Sequence, residues 1–176
     1  MPAPYGRATV ALHWIMLLLL ALVYATIELR EAFPRGSGPR EAIKAWHFML
    51  GLSVFLLVWL RLAARRMGTG KTKGPAAPIA ARAVHGLLYL FMIAMPIAGW
   101  IILSAEGDPI PFFGLQLPAL VGPNALLAET VEELHATIGK AGYFLIGLHA
   151  AAALFHHYAL KDGTLARMLP AVGGRG

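Results

Sequence analysis

Two histidines, His135 and His149, stand fourteen residues apart in the apolar stretch Leu134 to Leu160. On an α-helix that spacing is a rise of ~21 Å and nearly four whole turns, so both imidazoles return to one face. The stretch is long enough to cross a bilayer, which needs about 20 apolar residues. Polar side chains at such depth are costly and mark function. Gly139 and Gly142 lie along the same face, where a flat ring could approach the backbone. Two imidazole positions stacked across a membrane point to electron transfer through two haems.

The chain has seven histidines, all within apolar segments or at their ends. Depth sorts them. His47 and His135 share one level and His13 and His149 the other, which gives two bis-histidine pairs. Filling both axial positions of a haem b favours electron transfer over oxygen binding. A lone interfacial histidine more often snorkels or bonds between helices, and that plainer reading suits His85, His156 and His157, which sit at segment ends. A transition-metal transporter could also use histidines, but the spans carry almost no carboxylate, with Glu28 only near an end.

These residues need elements to hold them. Four segments approach spanning length: about Ala8 to Ile27, Ile43 to Leu62, Val84 to Leu103, and Leu134 to Leu160. Their apolar runs are continuous rather than alternating, so they predict helices, with Pro96 inside the third. The expected fold is an all-α membrane protein, a four-helix transmembrane bundle forming a single domain over residues 1–176. At 58% hydrophobic and 14% charged, the chain is too apolar for an ordinary soluble domain. It has no cysteine, which excludes disulfides, iron–sulfur clusters and covalently attached haem. The apolar run from Ala8 is too long for a signal h-region, and no small-residue cleavage site follows it.

The net charge of +6 reads as topology rather than a nucleic-acid footprint. Arg7, Arg61, Arg65, Arg66, Lys71, Lys73, Arg82, Lys161, Arg167 and Arg175 fall on one side. Arg30, Arg35, Arg40 and Lys44 fall on the other, and both termini are therefore expected in the cytoplasm. Lys140 lies inside the fourth segment. The loop Glu106 to Glu133, with four prolines and the pair Phe112–Phe113, reads either as a partly ordered cap over the outer face or as a flexible connection.

The sequence resembles the bacterial cytochrome b561 family over nearly its whole length. The likeness rests on His13–Trp14, on FPR at Phe33–Arg35, on the His47 region and on HGLLYLFMIAMPIAGW from His85 to Trp100. It is densest in GYFLIGLHAAAALFHHYALKDGTLARMLP. Within the family it is most similar to the superoxide oxidase branch, whose members pass electrons from periplasmic superoxide to ubiquinone. The resemblance implies a multi-pass protein of the bacterial inner membrane with two haem b groups, ligated by His13, His47, His135 and His149. It also implies a quinone site near the inner haem, with His85, His156 and His157 as candidates to bond a quinone carbonyl or relay protons.

Superoxide is an anion, and cations near the outer haem would raise its encounter rate. Arg35, Lys44 and Lys140 are the candidates, with Arg30 and Arg40 also on that side. Their plainer roles are lipid-phosphate contact, haem propionate neutralisation or solubility. Glu129, Glu132 and Glu133, just before His135, would oppose an anion. The main alternative keeps the haems and changes the donor: a relay subunit linking a periplasmic redox protein, such as a hydrogenase or formate dehydrogenase, to quinone. A haem-free transporter or structural membrane protein is the remaining class.

Overall fold

The structure is a computed structural model that describes residues 6–67 and 78–169. Lys71, Lys73 and Arg175, counted above for topology, lie outside the described residues. The described residues form four long helices, α1 Arg7–Arg30, α2 Gly38–Met67, α3 Ile79–Glu106 and α4 Ala125–Phe155. Each is long and apolar enough to cross a membrane. Side chains such as Leu18, Leu60, Leu90 and Phe144 are exposed, Phe144 by 81%. Large apolar side chains turned outward all along four helices fit a bundle whose solvent is lipid.

Every segment runs longer than its apolar stretch, because polar turns extend each helix past the hydrocarbon-length core. The largest correction falls on α4, which starts at Ala125 rather than near Leu134. The Asn124 side chain accepts from Leu127 N–H at 3.0 Å and caps the helix. Glu129, Glu132 and Glu133 are therefore helical residues, and the connection from α3 is correspondingly shorter.

That connection is an ordered cap. Strands β1 Pro111–Phe112 and β2 Leu115–Gln116 pair antiparallel. They turn through Phe113 and Gly114, both at positive φ, 46° and 87°. Positive φ at both turn residues is the geometry that two-residue hairpins favour. Ile110 is buried with Phe48, Leu52 and Leu103, so the cap packs on α2 and α3 at the His47 end of the bundle. Trp100 Nε1 donates to the Pro118 carbonyl at 3.0 Å, and Leu120 N–H donates to Ser104 Oγ at 3.0 Å.

α1 packs on α2, α2 on α3 and α3 on α4. Met16, Val54, Val58 and Met92 form the buried centre of the first three helices. α3 passes through Pro96 without a break. It ends at Gly107, whose left-handed backbone lets Asp108 N–H reach the Leu103 carbonyl at 3.0 Å. α4 packs chiefly on α3, and the imidazole pairs lie where it faces α1 and α2.

Candidate haem sites

α4 presents one row of residues at seven-residue spacing: Ala128, His135, Gly142 and His149. Ala128 and Gly142 are its buried positions. Seven residues are nearly two turns, so the row stays on one face. From that face His135 meets His47 of α2, and His149 meets His13 of α1. The ring centroids are 6.3 Å apart in both pairs, with interplanar angles of 74° and 76°.

That separation can be tested against a shared metal ion. A metal–imidazole bond of about 2.0–2.1 Å, plus roughly 1.1 Å from nitrogen to ring centre on each side, puts two opposed rings about 6.3 Å apart. Both pairs fit. His85 lies 5.2 Å from His149, edge to face, which is too close for the two rings to oppose each other across one ion.

The His47–His135 pair is held from behind. His47 Nδ1 lies 3.0 Å from the Val23 carbonyl and 3.3 Å from Thr26 Oγ1, and that hydroxyl donates to the same carbonyl at 2.7 Å. A carbonyl can only accept, so the hydrogen sits on Nδ1 and Nε2 keeps its lone pair. A metal-ligating histidine commonly donates its other ring N–H to such a carbonyl. His135 Nδ1 is buried and makes no hydrogen bond of good geometry among the described residues, although the Met95 carbonyl faces the ring. A Cβ added at Gly99 would lie 3.7 Å from His135 Cε1, an ordinary contact.

At the His13–His149 pair, Arg61 Nη1 lies 2.8 Å from His13 Nδ1. A guanidinium only donates, so this contact places the lone pair on Nδ1 and the hydrogen on Nε2. Ligation through Nε2 requires Arg61 to let go. A cavity of about 300 Å³ opens here, lined by His13, His85, His149, Arg61, Arg65 and Tyr89 among others. Its size, apolar walls and convergent imidazoles suit a ligand site.

Between the two levels the predicted glycine face has a different occupant. A Cβ on Gly142 would meet Tyr24 Oη and Phe91 well inside 3.0 Å. Tyr24 reaches across to donate to the Gly139 carbonyl at 2.7 Å and packs against the tilted ring of Tyr143, centroids 4.2 Å apart. Two aromatic rings from α1 and α3 thus fill the middle layer.

The remaining candidates are dispersed. Of the three proposed quinone residues, only His85 is among the cavity's described lining residues. His156 opens a π-helical turn, His156–Leu160, and its Nδ1 lies 2.5 Å from Asp162 Oδ2. His157 packs edge-on against Tyr158. Asp162 carried no signal in the sequence beyond its place in the matched tail. The Thr164 hydroxyl and the His156 ring, with the Thr164 N–H, hold its carboxyl well below the usual carboxylate range.

Among the candidate cations, Lys44 bonds Glu106 at 3.1 Å and Asp108 at 3.3 Å. It ties α2 to the end of α3, and its charge is largely answered there. Arg40 is 6% exposed, bonds Glu31 at 2.9 Å and donates to the Arg30 and Phe33 carbonyls. It closes the C-terminal end of α1, where a cation is favoured. Arg35 is exposed in the α1–α2 turn. Lys140 is exposed on α4, five residues and thus about 140° around the helix from His135.

Four membrane-length helices holding imidazoles in pairs at two depths define a class, the membrane-embedded cytochromes of the b type. The chain belongs to the prokaryotic cytochrome b561 family, which matches residues 4–171, and it is accordingly a haem-b membrane oxidoreductase. It is 36% identical to cytochrome b561 homolog 1 of Escherichia coli strain K12 over 170 residues, covering 94% of this chain and 97% of that one. It is 38% identical to the probable superoxide oxidase CybB of Yersinia pestis over 170 residues, 94% of this chain and 96% of the relative. Cytochrome b561 homolog 2 of Escherichia coli strain K12 is 30% identical over 175 residues, 96% and 92% of the two chains.

Proposed function

We propose that this protein is a superoxide:ubiquinone oxidoreductase of the bacterial inner membrane, a single domain with both termini in the cytoplasm and two haem b groups. His47 and His135 ligate the outer haem, and His13 and His149 the inner one. The observation that carries the reading is the repeated 6.3 Å imidazole separation at two depths along one face of α4. The likeness to a probable superoxide oxidase supplies the donor.

Bound haem supplies one-electron carriers at the two levels. Two superoxide ions leave as two dioxygen molecules, and their two electrons, with two protons, convert one quinone to quinol. The chain's own part is to orient and to exclude. The Val23 carbonyl fixes the His47 tautomer and ring plane. Tyr24 and Phe91, seated over Gly142, keep the middle layer packed. Removing superoxide's electron needs close approach at the outer face rather than a proton donor, and Arg35 is the exposed cation of the α1–α2 turn. Protons must reach the quinone from the inner face. There His85 stands in the cavity beside His149, and the His156–Asp162 pair lies at the end of α4.

Purified protein in proteoliposomes with ubiquinone should reduce the quinone on addition of superoxide, faster than the spontaneous reaction. A rate equal to protein-free vesicles contradicts the assignment. A second reading draws on the outer surface, where Glu106, Glu129 and Glu132 line one cleft. That acidic patch suits a basic periplasmic redox protein better than an anion, in which case the chain is a relay subunit and a larger redox subunit co-purifies with it.

A further inference from the structure

Arg30, Arg40, Lys44 and Arg61 stand near the imidazole pairs, with Arg65 also lining the cavity at His13 and His149, and their partners divide them. Arg40 and Lys44 are answered by carboxylates. Arg30 and Arg61 have no carboxylate partner among the described residues. Arg61 is turned onto His13 Nδ1 at 2.8 Å, with its Nε 3.4 Å from Tyr89 Oη. The Nε of Arg30 is buried with no hydrogen-bond partner among the described residues, and Arg30 lies one helical turn beyond Thr26, whose Oγ1 is 3.3 Å from His47 Nδ1.

Both arrangements are poor for a guanidinium. It carries five donors and no acceptor, and a half-buried cation facing a neutral imidazole recovers little of the solvation it gives up. The two positions also correspond. Arg30 ends α1 on the outer side, beside the outer pair, and Arg61 lies in the inner half of α2, beside the inner pair. Each therefore asks for an anion at its own imidazole level, and planar guanidinium forks match carboxylates.

We propose that Arg30 and Arg61 are the carboxylate seats of the two haem sites, each binding a propionate of the porphyrin held by the adjacent histidine pair. The proposal rests on the haem assignment above. It also resolves the His13 contact. A propionate that draws Arg61 away frees His13 Nδ1 to carry the hydrogen and returns to Nε2 the lone pair that iron needs. Arg61 thus serves His13 or the porphyrin carboxylate, but not both.

The test is spectroelectrochemical titration of purified holoprotein, with the haem that remains in His135→Ala identifying the inner one. Arg61→Gln should lower the inner haem's reduction equilibrium by about tenfold, 59 mV for one electron, and leave the outer haem in place. Arg30→Gln should do the reverse, and Arg61→Lys and Arg30→Lys should stay close to wild type. The idea is overturned if the glutamine variants keep wild-type potentials, or if each variant moves both haems together as a general loosening would. Should a glutamine variant lose its haem, the lysine variant decides: haem retained near the wild-type potential supports a charge seat, and haem lost overturns it. Wild-type protein without low-spin haem overturns the haem assignment itself and this proposal with it.

Discussion

Gly142 carries no side chain because Tyr24 and Phe91 occupy its place. Alanine there must displace two aromatic rings in the middle of the bundle, an overpacking that costs typically about 1–3 kcal/mol. Gly142→Ala should therefore lower the thermal unfolding temperature of purified protein clearly. Gly139→Ala should change it little, since the added Cβ would meet only Met95 Cε at 3.6 Å. Equal stability for the two variants would contradict this account of the layer. The spacing of these glycines against His135 marks the functional face in the sequence, but which ring fills the gap does not follow from spacing. That depends on Tyr24 and Phe91, brought from α1 and α3 by packing. The same limit holds for Lys44 and Arg61. Their charge is visible in the sequence, while their partners Glu106, Asp108 and His13 lie between 48 and 64 residues away.

At the scale of elements, the four spans were legible because lipid demands continuous apolar runs. Their ends were not, because a helix continues through charged turns once it has started. The first turns of α4 hold through the Asn124 cap despite Glu129, Glu132 and Glu133. The hairpin escaped detection for a related reason: two-residue strands carry no periodicity, and Phe113 holds a left-handed position that usually goes to glycine. The tail beyond α4 is tied down by single bonds. Trp14 Nε1 donates to the Met168 carbonyl at 2.6 Å, and the Asp162 carboxylate holds His156 and Thr164. Asp162→Asn should speed tryptic cleavage after Arg167 by several-fold, and an unchanged rate would show that the Asp162 bonds do not anchor the tail. Because the folded-state pKa of Asp162 is depressed, its contribution is fully present above the ordinary carboxylate pKa. It is lost only as pH falls below that range and through the lowered value. Tail protection on this account should be flat across neutral pH.

For the whole molecule, the arrangement of helices converts one row of side chains into two sites. α4 runs the depth of the bundle, α1 offers His13 near one end, and α2, antiparallel to it, offers His47 near the other. Membership of the cytochrome b561 family and the spatial pairing of the histidines could both be read from the sequence, since an imidazole must be spelled out by residue type. The surroundings of each ring could not, since a carbonyl such as that of Val23 has no sequence signature. The measurement that tests the account most directly is the haem-to-protein ratio, with low-temperature EPR, of wild-type protein and of His135→Ala and His149→Ala. The account predicts two low-spin b haems per chain in wild type and one in each variant, the inner haem surviving in the first and the outer in the second. A single haem in wild type, or both haems retained in either variant, would contradict it.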